Sequence, residues 1–257
     1  MGLLKHFIGV NLVIDNFSIV LNSPKIPENI GAAARAAWNM GIKELIVVAP
    51  ENLESERMLK MATHNAAHLI KNMQIYSNLK EAVAKFNYIV GTSARTGRGR
   101  RATSPRELAP LLISKASSNR IALIFGPEDK GLTTEEIRLC HQLVKIPTAE
   151  FSSLNLAQAV MIMAYEVFLA TLNENFKLTP TLANSQQLEL MYEKVKEVLI
   201  KINFIHPGNP DHWMMNVRRF FSRISLTTNE VNLIMGICRQ VEWYGRGKRE
   251  NGRGGEK

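Results

Sequence analysis

Residues 150 to 156, EFSSLNL, set Ser152, Ser153 and Asn155 around Leu154 and Leu156 at the start of an apolar helix. A helix start needs one capping residue. Three polar side chains beside free backbone N–H groups make a place that can hold a polar ligand, and the leucines can wall its apolar part. A second stretch, FGPEDKGLT (125–133), places Gly126 and Gly131 in a turn between a strand and a helix, where backbone can approach a partner closely. The glycine spacing is that of a phosphate-binding P-loop, but Leu132 replaces the lysine and Glu128 repels phosphate, so nucleotide hydrolysis fits poorly. Taken alone, the stretch is equally an ordinary strand-to-helix turn.

A third stretch, NSPKIPENIGAAARAAWNMG (22–41), carries Arg35 in an Ala-rich helix. The alanines let neighbouring backbone come close while the guanidinium reaches out with five donors. Exposure on a helix face is the commoner reason for such an arginine. Its place early in a helix, just after a strand and a Pro-rich turn, is where ligands bind in α/β sheets. In a fourth stretch, GTSARTGRGRRATSPR (91–106), Thr92, Ser93 and Ala94 close a strand. Arg95, Arg98, Arg100, Arg101 and Arg106 then crowd a glycine-punctuated loop suited to phosphate contacts, the alternative being a solvated loop.

The elements that must position these residues alternate strand and helix. FSIVLN (17–22), ELIVVAP, YIVGTSA, IALIFGP and LVKIP are predicted strands. Residues 29–41 form a predicted helix with Asn29 as its cap and Gly41 at its end, and SERMLKMATHNAAHLI forms another. Thr133 and Glu136 have capping-box spacing, and a helix is expected over about 155–173. Such alternation predicts an α/β fold with a parallel sheet covered on both faces. The expected organisation is a domain over 1–173, a linker over 174–187, a helical extension over 188–244 and an unstructured basic tail over 245–257. Leu188, Met191, Val195, Val198 and Ile202 mark the apolar face of the first extension helix.

The 257 residues carry a net charge of +9, which favours a polyanionic partner. Two distant cysteines, Cys140 and Cys238, make neither a disulfide framework nor a zinc site. They suit a reduced, cytoplasmic compartment. MGLLKHFIGV lacks the features of a signal peptide, and no apolar run has membrane-spanning length.

In their order, NIGAAARA, FGPEDKGL and IPTAEFSSLNLAQA resemble the three signature motifs of the SPOUT class of S-adenosylmethionine-dependent RNA methyltransferases, closest to its TrmH family. The resemblance covers about residues 17 to 170. GTSAR, SSLNLAQAVMIMAYEV and the later helical segments are similar to members that methylate the ribose 2′-hydroxyl of nucleotide 32, cytidine or uridine, in the tRNA anticodon loop. The resemblance implies a SPOUT-type parallel sheet with a C-terminal trefoil knot, a small helical extension, S-adenosyl-L-methionine bound bent in the knot, tRNA as partner, a homodimer, and no metal or membrane.

Carried over by position, Thr92, Ser93, Ala94, Gly126, Glu128, Gly131, Ile146, Ser152, Ser153 and Leu154 would hold the cofactor. Arg35, Ser153 and Asn155 would be catalytic. Asn29, Arg35, Arg95, Arg98, Arg100 and Arg101 would meet RNA, with Arg218, Arg219 and Arg223 extending that surface. A guanidinium is a poor general base at neutral pH. The role that suits Arg35 is binding the phosphate beside the target ribose and stabilising charge on the 2′-oxygen, with Asn29 and Glu128 supporting it by hydrogen bonds. Two prolines in NSPKIPE depart from other family members and leave the target nucleotide open. Ribosomal RNA, another tRNA position and RNA binding without catalysis remain alternatives.

Overall fold

Six strands, β1 Phe17–Asn22, β2 Glu44–Val48, β3 Gln74–Tyr76, β4 Tyr88–Thr92, β5 Ile121–Phe125 and β6 Gln142–Val144, form one sheet in the order β3-β2-β1-β5-β4-β6. Every pairing is parallel. This computed structural model describes residues 13–93, 102–151, 153–172, 179–206 and 208–251, and divides into two units, Met1–Pro180 and Thr181–Lys257. The central strands β1 and β5 are buried along their whole length, which is why both read as continuous apolar runs.

In the first unit the helices are α1 Pro27–Asn39, α2 Ser55–Lys71, α3 Leu79–Val83, α4 Pro105–Ala116, α5 Thr134–Leu139 and α6 Leu156–Thr171. Helix α1 packs on α2 and α6, and α4 also packs on α6. From β1 the chain first builds outward through β2 and β3, then returns to build β5, β4 and β6 on the other side. Such a reversal opens a crevice at the carboxyl ends of the strands, the usual ligand position in parallel sheets.

Several local readings change. Helix α1 starts at Pro27, whose missing N–H costs nothing in the first turn, and Ile26 takes the cap position without a side-chain cap. Asn29 is therefore not the cap. It is buried in the first turn, and its amide is used elsewhere. Helix α2 is broken at Thr63, where φ is 59°. The predicted strand LVKIP is shorter and shifted, ending at Val144, and the strand β3 and helix α3 were not anticipated.

The second unit contains α7 Ser185–Lys201, α8 Pro210–Phe221 and α9 Thr228–Asn251. Asn184 and Gln187 form a capping box inside the stretch read as linker, with each N–H to side-chain oxygen distance 2.9 Å. Leu188, Met191, Val195 and Val198 are buried as their spacing predicts, whereas Ile202 lies past the end of α7 and is 52% exposed. Helix α9 continues to Asn251, into the region expected to be unstructured. Residues 252–257 lie outside the described residues.

The nitrogen Nζ of Lys194 lies 2.8 Å from Oε2 of Glu242, and Lys201 pairs with the other carboxylate oxygen. The hydrogen bonds from these two lysines hold the Glu242 carboxyl down at about 2. A depressed carboxyl stabilises the fold fully above the ordinary carboxylate range and loses that contribution as pH falls through its folded value. Between pH 5 and pH 2 the wild-type protein is expected to lose more stability than Glu242→Gln. Chemical denaturation at both pH values checks this, and equal losses would remove the pair from the account.

Candidate active site

A cavity of about 250 Å³ opens at the carboxyl ends of β4 and β5. Thr92 and Ser93 bound it where β4 ends, and Phe125 and Gly126 where β5 ends. The turn from Pro127 to Gly131 forms one side. Ile146, Ser153 and Leu154 form another, and Leu156 and Ala159 of α6 close it. Polar groups and aliphatic walls therefore share one space.

Gly126 is required by packing. A Cβ there would lie 2.4 Å from both the Gly131 carbonyl carbon and the Leu132 nitrogen. Gly131 has φ of +65° and donates its N–H to the Pro127 carbonyl at 2.9 Å, folding the turn back on itself. Leu132, which stands where a P-loop has lysine, is 3% exposed and belongs to the core.

A line of hydrogen bonds joins the three motifs. Asn155 Nδ2 donates to Asn29 Oδ1 at 2.8 Å, and Asn29 Nδ2 donates to Glu128 Oε1 at 2.8 Å. The other oxygen of Glu128 accepts from the Lys25 backbone N–H at 3.1 Å. Asn155 also caps α6, its Oδ1 accepting from Ala157 N at 2.9 Å. One side chain thus satisfies a helix start and anchors α1, which accounts for an asparagine at that position. The residue Asn22, 3% exposed at the end of β1, donates to Glu136 Oε1 at 2.7 Å. Glu136 simultaneously accepts from Thr133 N at 2.7 Å. The turn is therefore tied to β1 at one end and to α1 in its middle. Asn29→Ala would remove the partner of the Asn155 Nδ2 donor and of the Glu128 Oε1 acceptor. It is expected to lower unfolding free energy by about 1–3 kcal/mol, read from the urea midpoint at unchanged slope.

The SpoU rRNA Methylase family matches residues 16–165. The chain belongs to the SpoU methylase family. A second match, to the family described as tRNA methyltransferase TrmJ, C-terminal domain, covers residues 186–253. A Pseudomonas aeruginosa protein named tRNA (cytidine/uridine/adenosine-2′-O-)-methyltransferase TrmJ is 35% identical over 250 residues, spanning 91% of this chain and 97% of the relative. A Klebsiella pneumoniae protein named tRNA (cytidine/uridine-2′-O-)-methyltransferase TrmJ is 33% identical over 245 residues, spanning 92% of this chain and 100% of the relative. The crystal structure of TrmJ from Z. mobilis ZM4 has a TM-score of 0.76 at 28% identity, covering 88% of this chain and 98% of that one.

Within this SpoU-family chain the structure brings together eight of the ten residues expected to hold the cofactor, while Asn29 and Asn155 lie beside the cavity and not in its lining. Thr92, Ser93, Gly126, Glu128, Gly131, Ile146, Ser153 and Leu154 all line the cavity. The Thr92 hydroxyl donates to the Ile124 carbonyl at 3.0 Å, and the Ser93 backbone N–H to Val144 at 2.9 Å, so these two groups hold the sheet end together. Arg35 is exposed on α1 and does not line the cavity. Ala94, Arg95, Arg98, Arg100, Arg101 and Ser152 lie outside the described residues.

Arg106 begins α4 and pairs with Glu166 of α6 at 3.0 Å. Arg218 is not available to RNA as expected. Both its terminal nitrogens bond the Glu189 carboxylate, and its guanidinium lies 4.4 Å over the Tyr192 ring. Arg219 and Arg223 are exposed. Sequence reasoning missed Asn22 and Lys25, and read Glu136 only as the capping-box partner of Thr133, which it is. A polar residue closing an otherwise apolar strand was the available signal for Asn22; the backbone contact of Lys25 leaves none. Among the described residues no His, Cys, Asp or Glu cluster could hold a metal ion, and no helix is long and apolar enough to cross a membrane.

Proposed function

We propose that this protein is an S-adenosylmethionine-dependent 2′-O-methyltransferase that acts on the ribose of a cytidine or uridine at position 32 of the tRNA anticodon loop. The observation that carries this reading is the hydrogen-bonded line Asn155–Asn29–Glu128, which ties three separated segments together beside the cavity of a SpoU-family chain. Relatives similar over nine-tenths of the chain are named as tRNA 2′-O-methyltransferases for cytidine and uridine, and the name of the Pseudomonas one adds adenosine.

The cavity residues fit the donor. Leu154, Leu156, Ile146 and Ala159 suit a flat apolar ring, and the polar loop ends suit a ribose and an amino-acid end. The Glu128 carboxylate borders the space, while Asp129 is paired with Lys25 at 3.2 Å and Lys130 lies beside it. S-adenosylmethionine supplies a methyl group on a positively charged sulfur, open to direct displacement by a sugar oxygen.

The work of the chain is placement, which can contribute up to about 7–11 kcal/mol. Ser153 orients the sugar at the cavity edge, and Asn155 acts with it by fixing the start of α6. Arg35 binds the adjoining phosphate and stabilises charge developing on the 2′-oxygen. The segment after β6 completes a trefoil knot around the donor, an exception to the rule that chains avoid knots. The protein works as a cytoplasmic homodimer, in which Arg35 can serve the partner's cavity, and the arginine loop 95–101 meets tRNA. Incubation with methyl-labelled donor and unmodified tRNA, followed by nucleoside mapping, tests this reading. Label in a 2′-O-methylated pyrimidine at position 32 is the expected result; label at another position or in ribosomal RNA only would overturn the assignment.

A further inference from the structure

Phe151 is 80% exposed, more than any other large apolar side chain among the described residues. A single exposed apolar residue ordinarily needs no explanation. Its position gives this one a consequence. Phe151 stands two residues before Ser153, within about 7 Å along the backbone of a side chain that lines the cavity. The cavity is bounded by residues 92–93, 125–131 and 146–159. Phe125, the other phenylalanine in those stretches, is 1% exposed in the sheet, so Phe151 alone among their phenylalanines can offer a free ring face.

Two cations frame the same region. Lys130 lines the cavity and Lys145 precedes Ile146. Both are exposed; Lys130 adjoins the Asp129 carboxylate, and the Lys145 ammonium pairs with no described residue. A sugar oxygen delivered to this cavity brings its own base and flanking phosphates to the rim. Bases stack on exposed aromatic faces, and phosphates take unpaired ammonium groups.

We infer that Phe151 is the platform on which the base of the acceptor nucleotide stacks, with Lys145 holding an adjoining phosphate. The inference rests on the reading of the protein as an RNA ribose methyltransferase, and names the part of the site that holds the base. Stacking is tolerant of base identity, because every base has a π-face. The platform therefore positions any nucleotide and leaves the choice among nucleosides to other groups.

The experiment begins with wild-type protein, methyl donor and unmodified tRNA. Absence of methylation there overturns the functional reading itself. With methylation and its position established, Phe151→Ala is expected to weaken tRNA binding and raise KM about tenfold to a hundredfold, the usual loss for one stacked base. Phe151→Trp restores both, and calorimetry shows donor affinity unchanged in each variant. The deciding comparison uses tRNA assembled with an abasic target nucleotide that keeps its 2′-hydroxyl. Wild type and Phe151→Ala should bind this RNA equally, since no base remains to stack. A penalty that persists on abasic RNA, or an alanine variant equal to wild type on intact tRNA, overturns the platform. Lys145→Ala should reduce the slope of log affinity against log salt by about one on both RNAs; an unchanged slope overturns the phosphate contact.

Discussion

Replacing Arg35 with alanine is expected to cut methyl transfer by about 10²–10³-fold while leaving donor affinity nearly unchanged. The separation of effects follows from where the residue sits. Arg35 is exposed on α1, outside the cavity lining, and no described residue pairs with it. Its guanidinium is therefore available to a phosphate instead of being committed to an internal carboxylate, as that of Arg57 is to Glu28 at 2.7 Å. The helix carrying it is fixed relative to the cavity by the buried Asn29, six residues earlier, through Glu128 and Asn155. Arg35→Lys keeps the charge but loses the planar fork, so an intermediate rate is expected. Single-turnover methylation reports the chemical step and calorimetry reports donor binding. Parallel loss of both in Arg35→Ala would place the residue at the donor and sink the assigned role.

The parts of this site that were legible in the sequence are those that must serve two purposes at once. A capping asparagine beside further polar residues at 152–155 signalled more than a helix start, and Ser153 does line the cavity, while Asn155 caps α6 with Oδ1 and ties α1 with Nδ2. Paired glycines after an apolar strand signalled a turn that must be approached closely, and Gly126 is so approached. The parallel sheet and a cavity at the carboxyl ends of its strands followed from alternating patterns because a parallel sheet needs a crossover helix after each strand, whereas the strand order did not. The illegible parts depend on partners distant in sequence. Asn29 looked like a cap because Asn often is one, but the proline two residues earlier had already supplied the helix start. Arg218 looked like a phosphate ligand because basic runs in basic proteins usually are. Only the fold reveals Glu189 and Tyr192 around it. Ile202 kept the spacing of a buried face but fell beyond the last turn of its helix.

The two glycines of the 126–131 turn look alike in the sequence, yet they are expected to respond very differently to alanine. At Gly131 the strain is conformational: a left-handed φ with no atom within 4 Å of an added Cβ. That costs about 1–2 kcal/mol of stability and leaves the cavity in shape. At Gly126 the obstruction is backbone, because the added Cβ would meet the Gly131 carbonyl carbon and the Leu132 nitrogen at 2.4 Å. Flexible side-chain ends can swing away from such a contact, but these atoms cannot. The turn is held by the Gly131–Pro127 bond, by Glu128 on Asn29 and by Glu136 on Asn22 and Thr133. Relief requires one of these ties to break or the end of β5 to move, and either shifts the surface on which the donor rests. Misplacement on the scale of 1 Å costs about 10²-fold at a positioned site. Overpacking adds about 1–3 kcal/mol of destabilisation. Gly126→Ala is thus expected to lose methyl transfer by at least about 10²-fold together with donor affinity, a joint loss that contrasts with Arg35→Ala. Gly131→Ala should retain both and melt only slightly earlier. Calorimetry with the donor and denaturant unfolding of the two variants decide the matter. Normal donor binding in Gly126→Ala would mean that this turn is not the wall of the catalytic cavity.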